Sequence, residues 1–263
     1  MKNFSNKTII ITGATSGIGQ ALAFKLTQLE ANLILISRSE EKLNQLHEQL
    51  SKKTSNQIHV YAADLSNRTA CQTVFKKVIR NHSQIDGLIN NAGLGIFESA
   101  HLTQTNDIDR MFKLNVYAVI ESLKVMIPFF QTQTFGHIIN IGSMAGKMAT
   151  PKAAVYSATK SALIAYTNAV RLEIETKDLL ITTVNLGPVK TNFFKQADPD
   201  GGYQKSVARY MLTADQVANA IIKNLFKRKR EINLPWWMAI GAKLHHQFPT
   251  LIEKLLNQQF NKK

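Results

Sequence analysis

The chain has 263 residues, 44% hydrophobic and 19% charged, so it is long enough to bury a full core and too apolar to be disordered. Its one cysteine, Cys71, excludes an intrachain disulfide and a cysteine-based zinc site. With no signal-peptide pattern and no apolar stretch of ~18 residues, a cytoplasmic protein is expected. The net charge of +14 leaves nucleic acid, an anionic membrane surface, phosphate-bearing ligands or simply a basic surface as its explanation.

The first β-branched run is Thr8-Ile9-Ile10-Ile11, a predicted strand. Directly behind it come Gly13, Ala14, Thr15, Ser16, Gly17, Ile18 and Gly19, with a helix expected from about Ile18. Glycine is required where φ is positive or a ligand comes close to the backbone. A helix N-terminus behind such a turn suits the pyrophosphate of a dinucleotide. The spacing is G-x-x-x-G-x-G. The second strand is 32–36. An acid just after it would hold the ribose hydroxyls of NAD. Here Ser37, Arg38 and Ser39 stand there, and the first acid is Glu40. The Arg38 guanidinium offers a fork to a 2′-phosphate, which favours NADP(H); its other reading is a surface arginine.

Leucines at 43, 46 and 50 predict a helix over 39–50. The third strand, 57–61, leads to Asp64 and Leu65. The Asp64 carboxylate either accepts from an adenine amino group or caps a helix starting near Asn67. The fourth strand, 85–90, ends in Asn90, Asn91, Ala92 and Gly93, small enough for a nucleotide to cross the sheet edge. A long helix is expected over 106–130, with Asn115 inside it against its propensity. The fifth strand, 137–141, is followed by Ser143. A second long helix, 156–175, carries Tyr156 and Lys160 four apart and so on one face. An ammonium beside a phenol is expected to lower the phenol's pKa and fit it for acid–base work.

The sixth strand is 180–185, then Gly187, Val189 and Thr191. Residues 190–212, with Pro199, Gly201 and Gly202, read as a long, partly irregular lid loop. A helix from about Thr213 ends on Lys227-Arg228-Lys229-Arg230, and a weak strand follows over 231–234. Strands apolar on both faces, separated by crossover helices, make a doubly wound α/β fold of the Rossmann type: a parallel sheet with helices on both faces. A single domain over 1–234 is expected, with a basic, aromatic helical extension over 235–263.

Together these motifs resemble the short-chain dehydrogenase/reductase family, in its single-domain branch. The likeness runs from Thr12 to Thr191. It rests on the TGATSGIG loop, Asp64, NNAG at 90–93, Asn115, Ser143, YSATK at 156–160 and the 187–191 segment. It implies that Tyr156 is the proton donor or base and that Lys160 lowers its pKa and binds the nicotinamide ribose. It implies that Ser143 holds the substrate carbonyl, and that Asn115 kinks its helix and holds a relay water. Thr191 would contact the carboxamide. One departure is Leu186-Gly187 where the family usually has Pro-Gly, from which a less rigid backbone is expected.

Leu94, Ile96, Phe97, Met144, Met148, Ala149, Pro151, Phe193, Phe194, Tyr203, Tyr210 and Met211 are expected at the substrate pocket or packing its lid, which points to an apolar ketone (acyl, steroid-like or lipid-derived). The expected function is NADP(H)-dependent carbonyl reduction. The alternatives are NAD-linked alcohol oxidation and a non-catalytic dinucleotide-binding protein. Between 223 and 263, nine Lys and Arg stand against two Glu, a net +7, with Trp236, Trp237 and Phe248 interleaved. This suggests either peripheral membrane contact or packing beside the substrate mouth or a subunit interface. No metal and no nucleic-acid partner are expected. A homo-oligomer, dimer or tetramer, is expected through the two long helices, with Ala162, Leu163, Ala165 and Ala169 as packing surface.

Overall fold

The computed structural model describes residues 4–174 and 178–260, the last six without side chains. Glu175 of the second long helix and Lys262 and Lys263 of the basic tail lie outside the described residues. The elements begin β1 (Thr8–Thr12), α1 (Gly17–Gln28), β2 (Asn32–Ser37), α2 (Glu40–Ser51), β3 (Ile58–Ala62), α3 (Arg68–Asn81) and β4 (Gly87–Asn90). Next come α4 (Thr105–Phe112), α5 (Ala118–Gln131), β5 (Gly136–Ser143), α6 (Ala154–Glu173) and β6 (Leu179–Leu186). The chain continues through β7 (Val189–Lys190), α7 (Phe193–Ala197), α8 (Gly202–Val207), β8 (Leu212–Thr213) and α9 (Ala214–Asn224). It closes with β9 (Glu231–Leu234), α10 (Trp236–Gln247) and α11 (Pro249–Phe260).

Seven strands form one parallel sheet in the order β3-β2-β1-β4-β5-β6-β9. Alternate residues of a strand face opposite sides. Ile9, Ile11, Leu33 and Leu35 therefore pack under α1, α2 and α9, while Ile10, Ile34, Ile36 and Leu88 pack under α3, α5 and α6. Every residue of β5 and β6 is buried, the polar His137, Asn140, Thr182, Thr183 and Asn185 included. Strand order reverses between β1 and β4, and a crevice for a ligand opens there at the carboxyl ends.

Buried amides fix the helices that carry the site. Asn140 Nδ2 donates to Thr167 Oγ1 on α6 at 3.0 Å, and Asn90 Nδ2 donates to Asn140 Oδ1 at 2.9 Å. Ser122 Oγ on α5 donates to Asn90 Oδ1 at 3.2 Å. In a buried setting each such bond is costly to break, so α5 and α6 have one position on β4 and β5.

Several expectations need correction. The helix expected over 106–130 is interrupted: residues Lys113–Tyr117 form a π-helical turn between α4 and α5, with Asn115 in it. The lid is partly irregular as expected, but α7 and α8 form within it and β7 pairs with β8. The basic run 227–230 is not on a helix: α9 ends at Asn224 and Phe226 takes a φ of 60°. Arg230 Nη2 donates to Asn168 Oδ1 at 2.9 Å, and Arg171 Nη2 donates to the Arg230 carbonyl at 3.3 Å. The run therefore sits where β9 begins, on the sheet edge opposite the crevice. The four residues of β9 place it roughly 13 Å from Pro235, at the opposite end of that strand from the aromatic tail. Leu163 is buried in the core and offers no packing surface, while Ala165 and Ala169 are exposed. None of the described helices is long and apolar enough to cross a membrane.

Candidate active site

A cavity of about 760 Å³ runs along the carboxyl edge of the sheet. At one end lie Arg38, Ser39 and Lys42. The middle is the glycine loop with Asn91, Ala92 and Gly93. Beyond them are Ser143, Tyr156 and Lys160, and the far end meets Trp237, Leu244 and Ile252.

The glycine loop is a rigid cradle. Gly13 and Gly17 hold φ of 63° and 53°. A Cβ on Gly19 would stand 2.3 Å from the Gly13 carbonyl oxygen. Thr12 Oγ1 accepts from the Asn91 and Ala92 amides, both at 3.0 Å, and Asn91 Nδ2 donates to the Thr12 carbonyl at 2.9 Å. The loop after β1 and the loop after β4 are thus one unit. Helix α1 begins at Gly17, one residue before the expected start. Ser16 stands at its N-cap without a side-chain cap, and no acid lies in the first turn. Unneutralised amides there suit an anion. Thr15 Oγ1 and Ser37 Oγ lie 2.8 Å apart and join this loop to the end of β2.

Arg38 is exposed at the cavity's end, and Lys42 stands beside it one helical turn on. Ser39 caps α2, accepting from the Lys42 amide at 3.3 Å. Asp64 and Leu65 do not line the cavity. Asp64 Oδ1 accepts from the Ser66 amide and hydroxyl at 3.0 and 2.7 Å, and Leu65 is buried in the core. The cap of α3 is Asn67, which accepts from the Ala70 amide at 3.0 Å, so Asp64 is not a helix cap.

Asn115 is fully buried. Its Oδ1 accepts from the Leu94 amide at 2.9 Å, and its Nδ2 donates to the Leu94 carbonyl at 2.8 Å and to Thr159 Oγ1 at 3.1 Å. It ties the chain after Gly93 to α6, next to Lys160. Ser143 ends β5. Its Oγ donates to the Leu186 carbonyl at 3.3 Å, accepts from the Ala145 amide at 3.1 Å and lies in hydrogen-bond contact with the Tyr156 hydroxyl.

The expected lowering of the phenol by Lys160 is overturned. Burial pushes Tyr156 up to about 12; the Ser143 hydroxyl pulls against this but does not outweigh it. Lys160 Nζ donates to the Ile141 carbonyl at 2.9 Å and stands 5.9 Å from the Tyr156 ring centre. Burial lowers the lysine to about 8. A buried ammonium with a depressed pKa costs stability below pH 8, and the cost is relieved as pH rises toward the unfolded value of 10.5. Between these values the unfolded chain binds the extra proton, so stability rises with pH. Relative to Lys160→Met, the wild type should gain about 2–3 kcal/mol between pH 7 and pH 10, read from urea titrations at both pH values.

The reacting end is walled by rings. Phe97 and Phe193 each stand 5.7 Å from the Tyr156 ring, and Phe97 packs on Tyr203 at 5.2 Å. The Phe97 amide donates to the Ala197 carbonyl at 2.8 Å, fastening the lid. Of the residues expected at the pocket, Leu94, Phe97, Met144, Met148, Phe193, Phe194 and Tyr203 line the cavity, whereas Ile96, Ala149, Pro151, Tyr210 and Met211 do not. Gly187, Val189 and Thr191 also line it. The backbone at Leu186-Gly187 is held tightly, against expectation. Leu186 pairs with both Ser143 and Leu234, and the Gly187 amide donates to the Leu234 carbonyl at 2.6 Å.

Sequence reasoning missed Lys42, although its place four residues after Arg38 was a readable signal. It also missed Met238, Gly241, Ala242 and Ile252, which reach the cavity from the tail. No local pattern marks them.

A family model described as short chain dehydrogenase matches residues 7–201. An uncharacterized oxidoreductase of Staphylococcus epidermidis is 32% identical over 224 residues, covering 84% of this chain and 92% of the relative. An NADP-dependent 3-hydroxy acid dehydrogenase of Schizosaccharomyces pombe is 30% identical over 240 residues, covering 88% and 92%. In fold, the chain is similar to a short-chain dehydrogenase/reductase from Burkholderia phymatum in complex with NAD. The TM-score is 0.84 at 23% identity, covering 95% of this chain and 96% of the other. By the extent of the family match and the identity to these relatives, this chain belongs to the short-chain dehydrogenase/reductase family of oxidoreductases.

Proposed function

We propose that the chain is an NADP(H)-dependent reductase of an apolar ketone. The observation that carries the nucleotide choice is Arg38 with Lys42 at the cavity's end and no carboxylate among residues 37–39. The cradle, with Gly13 and Gly17 at positive φ and no room for a Cβ at Gly19, fits a dinucleotide. The name of the Schizosaccharomyces relative agrees with NADP, and the Burkholderia structure holds NAD, so the choice needs a direct test. Arg38→Ala should weaken NADPH binding roughly ten- to a hundredfold and leave NADH binding unchanged, read by calorimetric titration. Equal losses for both would favour the NAD-linked alternative.

When bound, the dinucleotide supplies the hydride that passes to a carbonyl carbon. The chain's own groups do the rest. Ser143 Oγ donates to the carbonyl oxygen and stabilises its growing charge. Tyr156 gives its hydroxyl proton to that oxygen, yielding the alcohol. Lys160 would hold the ribose hydroxyls and lies next in line to return a proton. Asn91, Ala92, Gly93, Gly187, Val189 and Thr191 would frame the nicotinamide. The rings of Phe97, Phe193 and Tyr203 exclude water and select apolar substrates. A homo-oligomer through α5 and α6 belongs to the same proposal, and a monomeric mass by light scattering would count against it.

A further inference from the structure

The hairpin of α10 and α11 presents two different apolar stripes. One lines the cavity: Trp237, Gly241 and Leu244, joined by Ile252 of α11. The other faces solvent. Trp236 and Ile240 share a face at four-residue spacing and are 68% and 49% exposed. Phe248, at the end of α10, and Leu251 of α11 are also exposed, at 55% and 57%. Single exposed apolar side chains are ordinary, but four on one helical hairpin that also lines a cavity are not.

Cations border the group. Helix α10 carries Lys243 on its exposed side and no acid. Glu253 of α11 stands 3.2 Å from His245. From the lid, Arg209 lies 4.5 Å over the Tyr210 ring, which packs 5.6 Å from Trp237.

We propose that this face docks on an anionic lipid bilayer and sets the cavity mouth against it, so that the substrate is a lipid-phase ketone. Indole rings favour the membrane interface and the bordering cations favour anionic headgroups. A second copy of the chain fits less well. A two-fold contact through this face would bring together two patches that each carry Lys243 and Arg209, in a chain already at +14. The basic run at 227–230 takes no part, since it lies at the other sheet edge. The docking surface stands on its own geometry; the lipid-phase substrate rests on the reductase reading.

The chain's two tryptophans, Trp236 and Trp237, are both on this hairpin, so intrinsic fluorescence reads docking directly. With vesicles of phosphatidylcholine and phosphatidylglycerol at physiological salt, the expected results are a blue shift and co-sedimentation. The double variant Trp236→Ser, Ile240→Ser should lose at least ~tenfold in partitioning. Neither residue lines the cavity, so its NADPH affinity and melting temperature should stay unchanged. Wild type left in the supernatant, or equal binding to pure phosphatidylcholine, would overturn the proposal. So would a dimer that the double variant dissolves. For substrate, the double variant should lower kcat/KM for a long-chain ketone carried in vesicles and leave that for a short water-soluble ketone unchanged. Docking without turnover of either ketone would overturn the reductase reading and the lipid-phase substrate, but not the surface.

Discussion

Tyr156→Phe should lower turnover by ~10²–10⁴-fold while leaving NADPH affinity nearly unchanged. The substitution removes one hydroxyl and keeps the ring against Phe97 and Phe193, so the lid stays packed. What is lost is the proton beside Ser143. Because burial holds that phenol up at about 12, its proton stays in place through neutral pH. Ketone reduction should therefore be nearly flat from pH 6 to 9, and alcohol oxidation, which needs the phenolate, should climb with pH. Steady-state rates in both directions, with calorimetry for the cofactor, check this. Surviving activity would move the proton to another group; Tyr203, whose ring packs on Phe97, is the nearest rival phenol.

Gly19→Ala should cost about 2–3 kcal/mol of stability and lower dinucleotide affinity roughly a hundredfold. The added Cβ would meet the Gly13 carbonyl oxygen at 2.3 Å and Asn91 Nδ2 at 2.7 Å. Neither can step aside. Gly13 is held at positive φ, and Asn91 is committed to the Thr12 carbonyl. The whole turn has to shift, and it is the turn that the nucleotide would lie on. Gly202→Ala is the control, since a Cβ there meets nothing within 4 Å. Thermal melts and titration with NADPH read both variants. Wild-type binding by Gly19→Ala would mean that the cradle is not where the nucleotide sits.

Some of this site was legible because its chemistry is local in the chain. The glycine spacing between a strand and a helix and the pairing of Tyr156 with Lys160 across one helical turn need only neighbouring residues. So does the missing acid after Ser37. Other features were not, and each has a named cause. The π-helical turn at Asn115 exists because the amide reaches across to Leu94 and Thr159, far apart in sequence. The direction of the Tyr156 shift was misjudged because charge proximity was weighed without burial, and here burial dominates. The basic run and the aromatic tail looked like one patch because they are close in sequence, but a strand of the sheet lies between them.

By itself the sequence determined the alternation of apolar strands and amphipathic helices, and with it the doubly wound sheet. It also determined which residues stand at the carboxyl edge, because strand ends and helix starts are set by short-range pattern. Only the tertiary structure decided where the tail packs. Gly187 has no side chain, so Met238 and Pro235 close on it; a Cβ there would stand 2.7 Å from the Met238 sulfur. That contact brings α10 onto the cavity. It depends on complementary shape between residues some fifty positions apart, and no periodicity in the sequence encodes such a fit.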